Sequence, residues 1–308
     1  MDKYEKWFNE NTHLLTNELA IVVGATGSIG KEVVEYLLKL KAKVIIAARN
    51  IKKAEALKNQ LLLKYPNAKI YIEYLDVSSL ESIDNFQLEI DKKYPKADIF
   101  INNSGVYQLP KQITKEGHEI HFATNALGNY YLAKKIIFDL KENAKMVFVS
   151  SLSANFYKIN FKDFQSLHVK NKTKIYALSK TIMMANTIGI KNEIGNGIDI
   201  NIVHPGVCAT ELFSKSHSKF FMKIIYPIMK LVFHSPKKAA LTIIKGIFSE
   251  TKTNEWITPG GLFEVWGYPK VSKMKKSLYS PNIVNQTETI TNDIISRYLL
   301  KDVRNNTK

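Results

Sequence analysis

LAIVVGATGSIGKEVVEYLLKL, residues 19–40, holds the pattern that decides the fold. LAIVV is short, β-branched and apolar without interruption, as a parallel strand covered on both faces should be. GKEVVEYLLKL has the apolar spacing of an amphipathic helix. Between them Gly24, Gly27 and Gly30 make a turn in which the backbone can bend tightly and a phosphate can approach closely. A pyrophosphate would sit on the free amides that open the helix, with Thr26, Ser28 and Ile29 completing the turn. Three glycines in a loop are common and need no ligand. Their position directly between strand and helix is what favours a phosphate cradle.

The same alternation continues outward. KVIIAA (43–48), KIYIEYL (69–75), ADIFIN (97–102), KMVFVS (145–150) and IDINIV (198–203) read as further strands, with a last one near EWIT (255–258). Helix-period segments separate them, among them SIDNFQLEIDKKY. Strand alternating with helix predicts an α/β fold, a Rossmann-type doubly wound parallel sheet of about seven strands with right-handed crossovers. No linker, repeat or low-complexity segment divides the chain, so residues 1–308 are expected to form a single domain. Its dinucleotide-binding half is expected over 17–150, and its catalytic and substrate half over 151–308.

Ligands in such a sheet bind beyond the carboxyl ends of the strands, and the informative residues cluster there. The second strand ends in AARN, with no acidic residue between Lys41 and Lys53 to hold a ribose 2′-hydroxyl. Arg49 stands there instead and can hold a 2′-phosphate, which favours NADP(H) over NAD(H). A surface arginine at a strand end is the plainer reading. After the third strand, Asp76 could accept from an adenine amino group or merely cap the next helix, with Val77 beside it. The fourth strand ends in NNSG, where Asn102 begins a turn that a ribose could approach. The fifth runs into Ser150 and Ser151, and the sixth into HPGVCATEL with Pro205, Gly206, Val207 and Thr210. In IYALSKTIMM, Tyr176 and Lys180 lie one helical turn apart on one face. Such a pair is usually just a solvated surface. Placed 25 residues after Ser151, it can instead be a phenol held beside a cation.

GATGSIG, NNSG, the serine pair, YALSK and PGVCAT, in this order over roughly residues 17–212, resemble the short-chain dehydrogenase/reductase family. AARN, TNALGNYYL, the long serine-to-tyrosine spacer and HPGVCATEL look most like its retinol-dehydrogenase-like members. The resemblance implies that Tyr176 is the general acid or base, and that Lys180 lowers its pKa and holds the nicotinamide ribose. It implies that Ser151 bonds the substrate oxygen and that Asn125 supports a proton-relaying water. It also places Asp76 and Asn102 on the adenosine side and Thr210 at the nicotinamide carboxamide. The chemistry needs such groups independently: an alkoxide formed by hydride delivery must be protonated, and a free tyrosine titrates at about 10. Two positions depart from the family pattern: Ser28 replaces a common glycine, and Val23 a common threonine.

The expected function is therefore an NADP(H)-dependent oxidoreductase interconverting an apolar aldehyde or ketone with its alcohol. A nucleotide-binding sensor or scaffold without turnover is the alternative, though it would not need the proton-transfer set. Residues 211–236, where the resemblance implies a substrate lid, are rich in apolar and aromatic side chains, including Leu212, Phe213, Phe220, Phe221, Ile224, Ile225 and Tyr226. Within them KFFMKIIYPIMKLVF (219–233) falls short of the roughly 18 apolar residues a spanning helix needs. It can be a buried helix pair, a lid, or a peripheral contact with a membrane surface. The formal net charge of +16 comes from lysines spread along the chain with no long run, so no nucleic acid partner is expected. No metal site is expected either. The single Cys208 suits a reducing compartment, and the polar N-terminus does not look like a leader, which together predict a cytoplasmic protein, with membrane association through 219–233 as the alternative. Helices near 118–141 and 175–194 could pair across a two-fold axis as a homodimer. His204 and Cys208 are expected to support their loop, and Trp256 and Trp266 to pack the C-terminal edge.

Overall fold

The computed structural model describes residues 3–195, 197–208 and 235–306. Thr210 and nearly all of the expected lid, 211–236, lie outside the described residues. One eight-stranded sheet forms the centre, in the order β3-β2-β1-β4-β5-β6-β7-β8. The strands are β1 Leu19–Val23, β2 Lys43–Ala48, β3 Ile70–Tyr74, β4 Ala97–Asn102, β5 Leu140–Val149, β6 Asp199–Val203, β7 Glu255–Pro259 and β8 Pro269–Lys273. The first seven pair in parallel. β8 is antiparallel to β7 and was not expected from the sequence. PKVSK carries Pro269 and two lysines, which suits an edge strand and hides its strand character. β5 begins at Leu140, five residues before the expected start, through a register shift opposite Ala97 and Ile99.

Reversal of strand order between β1 and β4 opens a crevice at the carboxyl edge, and this topology places the site. One core layer packs β1, β4 and β5 side chains such as Ile21, Phe100 and Phe148 against one set of helices. The other packs Val22, Ile46 and Ile101 against the second set. Among the helices are α1 Lys3–Asn11, α2 Ser28–Lys39, α3 Ile51–Lys64 and α4 Leu80–Lys93. A short α5 Ile120–Phe122 passes through a π-turn, Ala123–Leu127, into α6 Gly128–Ile136. They are followed by α7 Lys172–Ile194, α8 Pro236–Ile247, α9 Lys276–Tyr279 and α10 Pro281–Asn306.

Within the chain, α6 and α7 are met by the C-terminal helix. α10 packs along α7, where Asn186 and Thr291 exchange buried hydrogen bonds of 3.2 and 3.3 Å. Tyr130 on α6 donates to Asn292 at 3.0 Å, and Tyr298 donates to Asp84 at 3.0 Å. α7 is accordingly buried on nearly all sides after Ile175, which explains why its sequence lacks a polar stripe. Trp256 is buried in the core, whereas Trp266 is largely exposed, so only the first packs the C-terminal edge as expected. Among the described residues, no helix is long and apolar enough to cross a membrane.

Candidate active site

The glycine turn is held by backbone contact. Gly24 has φ of +75°, and a Cβ there would fall 2.7 Å from the Asn103 carbonyl oxygen. A Cβ on Gly30 would lie 2.2 Å from the Gly24 carbonyl oxygen, so the helix can press onto the turn only with glycine. At Gly27, by contrast, a Cβ would meet nothing nearer than 3.4 Å. Gly27 is the N-cap of α2 and offers no side chain to the first amides of that helix. Those amides face an open turn, and this is the arrangement an anion uses. Gly30→Ala is expected to cost about 1–3 kcal/mol through overpacking and to weaken binding of a dinucleotide at the turn. An unchanged melting temperature and Kd would show that the turn can widen freely.

A cleft of about 500 Å³ runs from this turn across the sheet edge. Gly24, Thr26, Gly27, Ser28, Ile29, Arg49, Asp76, Val77, Tyr176, Lys180 and Pro205 all line it. At one end Arg49 approaches Asp76 at 3.6 Å on a largely exposed side chain, a contact worth little by itself. Lys53, one helical turn into α3, also lines this end and adds a second cation that the sequence reading missed. Its signal was legible: four residues after Arg49, with Asn50 capping α3 through the Lys53 amide at 2.9 Å.

Asn102, the last residue of β4, is buried and accepts from the Ser104 hydroxyl at 2.7 Å, while Asn103, Ser104 and Gly105 line the cleft. Asp76 faces the cleft and also shapes its own loop, accepting from the Ser78 hydroxyl at 2.6 Å and amide at 3.0 Å. The cap of α4 is Ser79 instead.

At the other end Tyr176 is half-buried, with Ser151 beside its hydroxyl. Burial pushes this phenol up to about 12, the Ser151 bond pulls it down, and Tyr107 pushes it up. The Lys180 ammonium donates to the Val149 carbonyl at 2.9 Å. Burial lowers Lys180 itself to about 8. Asn125 sits in the π-turn behind them. Its Oδ1 accepts from the Val106 amide at 2.8 Å, and its Nδ2 donates to the Val106 carbonyl at 3.0 Å and to Ser179 Oγ at 2.9 Å. A Cβ on Gly105 would lie 3.3 Å from both Asn125 Oδ1 and Lys180 Nζ, so the two polar groups flank that glycine.

The β6 loop is built from below. His204, buried over Trp256 at 4.7 Å, accepts the Gly206 amide at Nδ1 (3.2 Å). Its Nε2 therefore carries the proton toward Glu264, 3.2 Å away. The Val207 amide donates to the Val265 carbonyl at 3.1 Å. His204 thus supports Pro205, Gly206 and Val207; of these only Pro205 reaches the cleft. Cys208 is buried, and burial pushes its thiol up to about 12, which leaves it protonated and unreactive at neutral pH.

The residues present fit a nicotinamide dinucleotide. Besides the open glycine turn, Thr124 and Ser150 line the cleft with buried hydroxyls that have no partner among the described residues. Such groups are costly unless a ligand pairs them.

Residues 18–219 match the family described as short chain dehydrogenase. The chain is 32% identical over 233 residues to retinol dehydrogenase 13 of Mus musculus, covering 73% of this chain and 70% of the relative. It is 30% identical over 238 residues to polyprenol dehydrogenase of Homo sapiens, covering 74% and 72%. Among solved structures, an uncharacterized protein from Mycobacterium Paratuberculosis superposes with a TM-score of 0.73 at 19% identity, over 92% of this chain and 96% of the other.

Proposed function

The chain belongs to the short-chain dehydrogenase family and is an oxidoreductase with a nicotinamide-binding fold; on that premise we propose that it reduces apolar aldehydes or ketones with NADPH, or oxidises the matching alcohols with NADP. The observation that carries this is the half-buried Tyr176 hydroxyl beside Ser151, one helical turn from Lys180, at the far end of the cleft from the glycine turn. The relatives are named for retinol and polyprenol, both apolar alcohols.

Gly24, Thr26, Gly27, Ser28 and Ile29 would hold the pyrophosphate, with Gly30 allowing the helix to close on the turn. Asp76 and Val77 would meet the adenosine, and Lys180 the nicotinamide ribose. The bound nicotinamide supplies or accepts a hydride. In reduction, Ser151 donates a hydrogen bond to the carbonyl oxygen and Tyr176 delivers the proton that the new alkoxide requires. Asn125 holds the loop at Val106 and the Ser179 hydroxyl, which in turn donates to the Tyr176 carbonyl at 2.7 Å. In this way it fixes where the phenol stands. The apolar substrate class is further supported by Tyr107, whose ring meets that of Tyr176 edge-on at 4.7 Å.

Arg49 and Lys53 are the groups that would distinguish NADP from NAD by holding the 2′-phosphate. Charge-assisted hydrogen bonds of this kind are worth about 1.5–3 kcal/mol. Arg49→Asp is therefore expected to shift the NADPH/NADH ratio of kcat/KM toward NADH by about tenfold to a hundredfold. A ratio left unchanged would remove Arg49 from cofactor choice. The test of the whole reading is NADPH oxidation, followed by absorbance, with a panel of aromatic and long-chain aldehydes and ketones. NADPH binding with no turnover on any of them would return the chain to a sensor.

A further inference from the structure

Behind the site lies a buried polar pair that the reaction does not use. Glu119 and His121 are both fully buried. Glu119 Oε2 accepts from the amides of His121 (2.8 Å) and Phe122 (2.9 Å), which caps the short α5. Its Oε1 lies 2.8 Å from His121 Nδ1. The outer nitrogen, Nε2, is 3.2 Å from the amide of Leu109. A backbone amide can only donate, so Nε2 holds the lone pair and Nδ1 carries the proton, given to Glu119. A helix start needs one small polar cap. Here a carboxylate and an imidazole have been buried together, and the imidazole spends its second nitrogen on a loop thirteen residues upstream of Phe122. Such burial is costly unless each group is used.

The loop so held is the one that meets the catalytic phenol. Residues 106–109 are clamped at three points: Val106 by Asn125, Gln108 by its Nε2 donating to Thr173 Oγ1 on α7 at 2.9 Å, and Leu109 by His121. Gln108 is held at φ of +50°, a left-handed conformation unfavourable for its side chain, so the clamps outweigh a local backbone preference. Between the clamps stands Tyr107, whose hydroxyl accepts from Gln108 Nε2 at 3.0 Å and whose ring lies at 86° to that of Tyr176.

We propose that Glu119 and His121 are positioning residues that act through Leu109 to hold the Tyr107 ring against Tyr176, and that they thereby set which carbonyl substrates the site accepts. The proposal rests on the reductase reading above. With the pair intact, Tyr107 is a fixed aromatic wall, and a flat aromatic aldehyde docks on it better than a small aliphatic one.

The test uses the full-length protein with NADPH and two substrates, benzaldehyde and propanal. His121→Leu removes both polar contacts and keeps the bulk. It is expected to lower the benzaldehyde-to-propanal ratio of kcat/KM about tenfold, mainly through KM, since misplacing a docking group by about an ångström has effects of this order or larger. NADPH affinity, read by fluorescence, is expected to stay within about twofold. His121→Gln, whose amide can donate to Glu119 and accept from Leu109, is expected to restore the ratio. Tyr107→Ala should lower the ratio similarly, and adding His121→Leu to it should change nothing more, because the histidine acts through that ring. Equal losses on both aldehydes, no rescue by glutamine, or additive effects in the double variant would each overturn the proposal. Should His121→Leu fail to fold, Glu119→Gln serves instead. Its amide must set a donor against either the His121 Nδ1 proton or two backbone amides, so the ratio should fall, and an unchanged ratio would overturn the proposal. A wild-type protein that binds NADPH but turns over neither these nor any other carbonyl would sink the reductase reading itself, a different failure from any of these.

Discussion

Tyr176→Phe is expected to lower turnover by about 10²–10⁴-fold, the range that general acid–base groups contribute, while NADPH affinity falls no more than a few-fold. The phenol is half-buried with Ser151 beside its hydroxyl, so removing one oxygen leaves the ring, its edge-on contact with Tyr107 and the fold in place. On the proposed mechanism, what is lost is the proton for the new alkoxide. Each tenfold loss corresponds to about 1.36 kcal/mol of transition-state stabilisation. The measurement is kcat with saturating NADPH, beside Kd from cofactor fluorescence. Loss of binding and turnover together would show that Tyr176 holds the cofactor rather than the proton. Retained turnover would remove it from the chemistry. Direction matters as well. Burial holds the phenol up at about 12, so it is protonated and ready to donate at neutral pH. Carbonyl reduction is therefore favoured at neutral pH, and alcohol oxidation, which needs the phenolate, is expected to quicken as pH rises.

The features legible in the sequence were those that repeat a physical requirement over several residues. β1, β2 and β4 have the bounds read from their apolar runs, since strands buried on both faces are nearly continuous in apolar residues. The glycine turn was legible because closeness of backbone to backbone, as at Gly30 and Gly24, leaves no other residue possible. Where side chains make long-range polar choices, the sequence was mute. Thr287 and Thr291, on α10, are fully buried, although nothing in the sequence alone shows that these two hydroxyls leave water. Asn102 and Asn103 differ by one residue, and only the end of β4 decides which of them turns toward the cleft. The pair Glu119 and His121 carried no signal at all, because two polar residues near a turn look solvated until the fold places Leu109 against them. Lys180 was found from its spacing to Tyr176; what the spacing could not show is that burial acts on both groups, pushing the phenol up and the ammonium down.

That same burial makes Lys180 expensive to keep, which yields the second large effect. A lysine ordinarily titrates near 10.5, and this one is lowered to about 8 by desolvation. At about 1.36 kcal/mol per tenfold change in proton affinity, holding it charged in the folded state costs roughly 3 kcal/mol. Between about 8 and 10.5 the unfolded chain binds the proton more tightly than the folded one. Stability contributed by this group is therefore lowest below pH 8 and rises as pH climbs through that window. Lys180→Met keeps most of the bulk and removes the charge. It is expected to be more stable than the wild type by about 2–3 kcal/mol at pH 7, with the gap closing toward pH 10, and to have lost most of its turnover. Chemical denaturation of both proteins at pH 7 and 9.5 measures this, and taking their difference cancels other groups such as Cys208 that titrate above pH 9. A gap that stays constant with pH would mean that the ammonium is not paying for its burial, and a destabilised Met variant would mean that its bond to Val149 outweighs desolvation. A more stable, inactive Met variant would identify Lys180 as a residue retained for chemistry at the expense of the fold, the signature of a working site.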